Sequence, residues 1–199
     1  MKKIIFATTN EGKMKEIKMI LGDLNYEVVS LKEAGIEIDI EENGSSFEEN
    51  AIIKAKAIME LTNEIVLADD SGLEVDAMGR QPGIYSARFL GENTSYDIKN
   101  NYILDQLKDL AEEKRTARFV CAIACAFPDG RISTRLATIE GRIGYEISGE
   151  NGFGYDPIFF VPEFACTTAE LSAEQKNKIS HRAKALNAMK EELYELREK

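Results

Sequence analysis

Six residues between an apolar run and an amphipathic stretch, Thr8-Thr9-Asn10-Glu11-Gly12-Lys13, have the make-up of an anion-binding turn. A strand that turns directly into a helix leaves the first helical amides without partners, and those amides are ready donors for phosphate oxygens. The Thr8, Thr9 and Asn10 side chains add hydrogen bonds, and Lys13 adds a point charge in the first turn. The GxxxxGK[ST] spacing is absent, so this is not a P-loop. A plain helix cap with a solvated lysine would use the same letters. A second constellation is acidic: Glu41-Glu42, then Asp69-Asp70-Ser71-Gly72 one helix later. Hard divalent cations take oxygen ligands, and magnesium borrows one or two carboxylates while keeping several waters. A neighbouring carboxylate raises a carboxyl pKa, which suits one member of such a pair to accept a proton from water. The bland alternative is a polar turn.

Two further segments lie in the C-terminal half. In Gly152-Phe153-Gly154-Tyr155-Asp156-Pro157 the glycines let backbone amides approach a ligand, and the aromatic rings offer stacking surfaces. Lys176 and Ser180-His181-Arg182 sit where a last helix begins, and His181 is the only histidine in the chain. A single histidine excludes a multi-histidine metal site and any mechanism needing two imidazoles. It is either a structural residue at a helix start or a hydrogen-bonding partner for a purine edge, with Arg182 or Lys176 contacting phosphate. Ser71 lies outside a G-x-S-x-G elbow, and a serine triad has no support.

Whole-chain properties narrow the partners. The net charge of −10 disfavours duplex nucleic acid, which needs a basic surface, but leaves room for a small anion met by a few converging cations and a divalent metal. The three cysteines, Cys121, Cys125 and Cys166, are odd in number and lack CxxC spacing, so neither a disulfide framework nor a zinc site is expected. Cys121 and Cys125 read as small buried hydrophobes. No apolar run approaches the roughly 20 residues a membrane span needs, and the N-terminus lacks a signal-peptide pattern, so a cytoplasmic protein without membrane partners is expected.

These residues need elements to position them. Lys3 to Thr9 reads as a buried strand, followed by a helix capped by Asn10 with Met14, Ile17, Ile20, Leu21 and Leu24 on its apolar stripe. Tyr26 to Ser30 is a second strand. Ser46 with Glu49 fits a capping box that opens a helix from Phe47 to Leu61. Ile65 to Ala68 is a buried strand ending on Asp69-Asp70, with Asp69 to Gly72 as an acidic turn and Leu73 to Ala77 as a candidate strand. Met78 to Gly83 is a turn region, and a long helix is expected over Thr94 to Glu113. Thr116 to Phe127 and Arg131 to Ile143 flank Pro128-Asp129-Gly130, the signature of an antiparallel hairpin. Gly149 to Tyr155 is a glycine-rich loop, and Ile158 to Val161 a short strand. A C-terminal helix from Ser172 or Ser180 is amphipathic through Ala183, Leu186, Met189, Leu193 and Leu196. Alternating strands and helices followed by a hairpin imply an α/β architecture with a mixed sheet, within a single domain over 1–199.

Taken together, five segments resemble the inosine triphosphate pyrophosphatase family: ATTNEGKMKEI at 7–17, EENGSSFEENAIIKA at 41–55, LADDSGLEVDAMGRQPGIYSARF at 67–89, GENGFGYDPIFF at 149–160 and TAELSAEQKNKISHRAKAL at 168–186. The resemblance implies an elongated mixed β-sheet with flanking helices, two lobes around a central cleft, and a homodimer. It implies magnesium-dependent hydrolysis of ITP, dITP, XTP and dXTP to monophosphate and pyrophosphate. By the same resemblance Thr8, Thr9, Asn10, Glu11, Gly12 and Lys13 form a phosphate loop. Glu41 (or Glu42) and Asp70 fall at metal positions, and Asp70 at the proton-acceptor position. Ser71, Phe153, Gly154, Tyr155, Asp156, Lys176, His181 and Arg182 fall at substrate-contact positions. Lys13, Lys54, Lys176 and Arg182 are then expected to balance charge on the phosphate oxygens, while the role of Asp69 stays open. Thr9 departs from the pattern, standing where many members carry glycine.

Overall fold

A computed structural model describes residues 2–195. In chain order the elements are β1 (Lys2–Phe6), α1 (Glu11–Leu21), β2 (Tyr26–Ser30), α2 (Phe47–Thr62), β3 (Ile65–Val75), β4 (Gln81–Pro82), α3 (Tyr96–Gln106), β5 (Thr116–Ala126), β6 (Ile132–Ile143), β7 (Phe159–Val161), β8 (Cys166–Thr167), α4 (Ala173–Ile179) and α5 (His181–Glu195). The strand order is β2-β1-β3-β5-β6-β7-β8, with β4 on β3. β1 runs parallel to both β2 and β3, whereas β3–β4, β6–β7 and β7–β8 are antiparallel. The sheet is therefore mixed, as the order of elements implied.

The chain forms two compact units. Unit 1 comprises Met1–Asp70, Cys121–Ala137 and His181–Lys199. Its core joins Ile4 and Phe6 of β1, Met14, Ile17 and Leu21 of α1, Cys121, Ile123 and Cys125 of β5, and Ala185, Leu186, Met189 and Leu193 of α5. These are the 3.6-period stripes of two helices laid on alternating strand positions, the arrangement that removes most apolar area from water. Cys121 and Cys125 are free thiols buried in this core, and burial pushes the Cys121 thiol up to about 12. Unit 2 comprises Ser71–Val120 and Thr138–Ser180. It is built around Leu73, Val75, Ile103, Leu107, Phe119, Ile139, Phe159 and Val161. Among the described residues no helix is long and apolar enough to cross a membrane.

Several expectations are corrected. Asp69-Asp70-Ser71-Gly72 is not a turn: β3 runs unbroken through it from Ile65 to Val75. A strand tolerates two buried carboxylates here because each finds cationic or hydrogen-bonding partners on its own face. The long helix expected over Thr94 to Glu113 is only α3, opening on the Ser95 cap and ending at Gln106. The Leu107 carbonyl accepts from the Leu110 amide and from the buried Arg115 guanidinium, so it is not available to extend the α-helical ladder. The C-terminal helix is two helices, broken where Ser180 takes an extended backbone. Half of the capping box forms: Ser46 accepts from the Glu49 amide, while the Glu49 carboxylate turns to Ser45. The Asn10 cap of α1 stands as read, accepting from the Lys13 amide at 3.0 Å. Leu196 lies outside the described residues.

Candidate active site

In unit 1 the site is assembled on β3. Parallel pairing sets Phe6 opposite Leu67, and the Ala7 amide donates to the Leu67 carbonyl at 2.7 Å. The turn that leaves β1 therefore emerges at the same sheet end as Asp69, the end where open parallel sheets hold ligands. Successive strand residues face opposite ways, so Asp69 and Asp70 address different surroundings.

Asp69 is fully buried among cations. Lys13 donates to both of its oxygens, at 3.1 and 3.0 Å. Arg182 reaches Oδ2 through Nε at 3.4 Å and Nη2 at 3.3 Å. The Arg182 Nη1 is held at 2.5 Å by Glu16, from α1. Burial alone would raise the Asp69 carboxyl, but Lys13, Arg182 and Lys54 outweigh it and hold the group well below the usual carboxylate range. Asp69 is thus a fixed anion that places Lys13 and Arg182.

Asp70 faces α2. Its Oδ2 accepts from Asn50 Nδ2 at 3.1 Å, and its Oδ1 lies 3.8 Å from Lys54 Nζ. Lys54 also pairs with Glu42 at 3.2 Å. Burial raises the Asp70 carboxyl, opposed by Lys54 and the Asn50 bond and reinforced by the charges of Glu42 and Asp69. Two neighbouring carboxyls are thereby pushed in opposite directions, the pattern that separates a permanent anion from a proton acceptor.

A cavity of about 240 Å³ opens in this unit, lined by Thr8, Thr9, Lys13, Glu42, Lys54 and Asp69 together with Ala7, Leu31, Ile38, Asp39 and Ile40. Glu42, not Glu41, stands beside Lys54, and Glu41 is exposed. Asn10 and Glu11 are exposed at the start of α1, with Gly12 and Lys13 half-buried behind them. His181, buried, is the first residue of α5 and precedes Arg182. Ser71 is a half-buried residue of β3 and belongs to unit 2.

In unit 2 the glycine-rich loop is organised by Asp156. The Phe153 amide donates to Asp156 Oδ2 at 2.8 Å, Lys176 Nζ to the same oxygen at 2.7 Å, and Thr168 Oγ1 to Oδ1 at 2.8 Å. Lys176 also lies over the Phe153 ring, 4.9 Å from its centroid. Gly152 is required: its φ is +76°, and a Cβ there would fall 2.2 Å from Asp156 Oδ2. The Asn100 amide donates to the Gly154 carbonyl at 3.1 Å, and the Tyr155 hydroxyl to the Ser86 carbonyl at 2.8 Å. Phe153 is left half-buried while its neighbours are tied down.

The sequence segments thus converge in two groups: Thr8, Thr9, Lys13, Asp70 and Arg182 within unit 1, and Phe153 to Asp156 with Lys176 within unit 2. Sequence reasoning did not single out Glu16, Asn50, Asn100 or Thr168. Asn50 had a visible signal, a polar residue in the stripe Phe47, Asn50, Ala51, Ala55, Ile58 that α2 buries. Thr168 had none, since only the fold brings it to Asp156.

Residues 4–192 match the model of the Ham1 family. A relative from Desulforamulus reducens, named dITP/XTP pyrophosphatase, is 50% identical over 98% of this chain and 96% of its own length. One of the same name from Bacillus subtilis is 49% identical over 95% of this chain and 96% of its own. The solved Ham1 protein of Staphylococcus aureus superposes with a TM-score of 0.87 at 45% identity, covering 97% of this chain and 98% of that one. The HAM1 protein from Coxiella burnetii gives 0.89 at 39% identity, covering 98% and 100%.

Proposed function

We propose, since this chain belongs to the Ham1 family, that it hydrolyses deaminated purine nucleoside triphosphates (ITP, dITP, XTP and dXTP) to the monophosphate and pyrophosphate. The observation that carries the reading is the pairing at β3: a cavity with Lys13 and Lys54 in its wall, and two adjacent carboxylates of opposite character, Asp69 and Asp70.

The chemistry follows from that pairing. Asp70 accepts a proton from a water that attacks the α-phosphorus. The bond from that phosphorus to the bridging oxygen breaks, and pyrophosphate leaves. Charge spreads over phosphate oxygens in a loose transition state, so positioning and fixed cations dominate catalysis. Lys13 and Lys54 line the cavity where those oxygens would lie. Arg182 acts from behind Asp69, keeping it ionised and Lys13 in place.

Magnesium suits the donor set. Among the described residues no group of three or more potential ligands gathers, but Glu42 and Asp70 turn carboxylate oxygens toward one ammonium, that of Lys54. That position already accommodates positive charge, and two carboxylates are what magnesium borrows from a protein. Glu42 and Asp70 would hold the ion, and Glu41 drops from the ligand set. When bound, magnesium neutralises phosphate charge and polarises the phosphoryl oxygen.

In the same reading the unit 2 loop recognises the base. Phe153 offers a stacking face, and Lys176 an ammonium that donates but cannot accept. A donor there fits a 6-oxo purine and meets a donor when adenine enters. An unpaired buried polar group costs about 1–3 kcal/mol, so each mismatch rejects roughly fivefold to over a hundredfold. A homodimeric state and a cytoplasmic location belong to the reading as well, and light scattering and cell fractionation check them.

Product analysis tests the proposal. With magnesium, ITP, dITP and XTP should yield monophosphate and pyrophosphate, and ATP should react far more slowly. Diphosphate plus inorganic phosphate would overturn the bond assignment, and equal turnover of ATP would overturn the specificity. A binder without turnover is disfavoured by the acidic cluster, since a pure polyanion receptor gains little from Glu42 and Asp70.

A further inference from the structure

Asp70 is gripped through both oxygens by one face of α2. Asn50 and Lys54 are four residues apart, one helical turn, and so project in the same direction. Asn50 takes Oδ2 and Lys54 faces Oδ1. The same two side chains hold the segment before the helix: the Gly44 amide donates to Asn50 Oδ1 at 2.8 Å, and Glu42 pairs with Lys54. Asn50 is completely buried. The contact is close enough to need glycine at position 44, because a Cβ there would sit 2.7 Å from Asn50 Oδ1 and 2.8 Å from Glu49 Cβ.

The chemistry of the two partners defines the residue between them. A backbone N–H requires an acceptor and a carboxylate requires a donor, and a neutral amide serves both at once through separate atoms, its oxygen and its NH2 group. An aspartate can serve Gly44 but repels Asp70, and an alanine serves neither.

We propose that Asn50 is a positioning residue for the reaction: its amide fixes the rotation of the Asp70 carboxylate and registers the Glu42 segment against it. This deepens the assignment of Asp70 as proton acceptor and rests on it. The acceptor half of the amide holds the fold of residues 42–44, and the donor half sets the geometry of the reacting group. A carboxylate free to rotate spends less time aligned with the attacking water, and that loss falls on turnover rather than on nucleotide binding.

The test compares Asn50→Ala and Asn50→Asp with wild type, recording kcat and KM for dITP and the melting temperature of each. Both variants should lose about tenfold or more in kcat with KM within about threefold of wild type. Asn50→Asp keeps an acceptor for Gly44 but sets a second carboxylate against Asp70, so it should be no faster than Asn50→Ala. Wild-type kcat in folded Asn50→Ala overturns the proposal. So does recovery of kcat alongside stability in Asn50→Asp, which would make the amide a purely structural tie. If Asn50→Ala does not fold, Asn50→Asp alone decides. Failure of the underlying assignment looks different: Asp70→Asn would then retain wild-type turnover, whatever Asn50 does.

Discussion

Asp69 in unit 1 and Asp156 in unit 2 are both buried carboxylates that meet a lysine ammonium, and the company they keep is otherwise different. Asp69 is surrounded by charged side chains, Lys13 and Arg182, with Glu16 behind the arginine. Lys13 retains a fifth of its side-chain surface at the cavity wall. Asp156 meets one ammonium, one backbone amide and one hydroxyl, and its lysine is buried. The first arrangement is a set of charges that an arriving polyanion can re-partner. The second holds a loop in shape, because its partners belong to the loop and the segments beneath it. A site for making and breaking bonds needs the former, and a site for recognising a flat base needs the latter.

Mutations separate the two. The largest effect is expected from Asp70→Asn, which keeps the shape and removes the proton acceptor. Its kcat for dITP should fall about a hundredfold to ten-thousandfold with KM little changed, and wild-type turnover would dissolve the distinction drawn for β3. Next comes Asp156→Ala. Removing one partner of a buried ion pair leaves Lys176 unmatched, and such losses run to about 3–5 kcal/mol. Denaturant unfolding should register that loss, and a variant as stable as wild type would show that Asp156 does not hold the loop. Lys13→Met should behave oppositely, raising KM for dITP about tenfold with stability nearly unchanged, because Asp69 keeps Arg182. A large stability loss there would make the two carboxylates alike after all.

The smallest effect concerns an exposed carboxylate that serves as a reference for both. Glu33 accepts from Lys18 at 2.6 Å and from the Ser30 amide at 2.8 Å, and these bonds, the lysine's first, lower its pKa to about 2. The folded value lies below the unfolded one of about 4.3. Its contribution is therefore complete above pH ~4.3 and disappears as the pH falls toward 2. Lys18→Met should flatten the melting temperature over that window by removing stability present above it. The variant therefore differs from wild type at neutral pH, by a small amount because the pair is exposed, and converges with it as the pH falls toward 2. An undiminished slope in Lys18→Met would remove Lys18 as the cause.

Local physics made much of unit 1 legible from sequence. The Asn10 and Ser46 caps, the strand Tyr26–Ser30 and the β5–β6 hairpin all follow from side-chain oxygens, apolar alternation and turn residues, which act over a few positions. Asp69-Asp70-Ser71-Gly72 misled as a turn because Lys13, Arg182, Asn50 and Lys54, which meet its two carboxylates, are none of them local. Ser172 and Ser180, read as alternative starts of one helix, each precede a helix of their own. At the candidate site, residue types in the five segments marked Lys13, Asp70 and Lys176. The choice of Glu42 over Glu41 depends on which one faces Lys54, and spacing before an irregular segment cannot decide it. Glu16 and Thr168 contact partners 166 and 12 residues away, so only the fold could reveal them.

The ion network around β3 also bears on how a nucleotide reaches it. Lys13, Lys54 and Arg182 stand against Glu16, Glu42, Asp69 and Asp70, three cations among four carboxylates. With a whole-chain charge of −10, a bare triphosphate approaches through a repulsive field. Raising ionic strength should therefore quicken the encounter of metal-free dITP with this protein, the reverse of the salt dependence of a basic phosphate receptor.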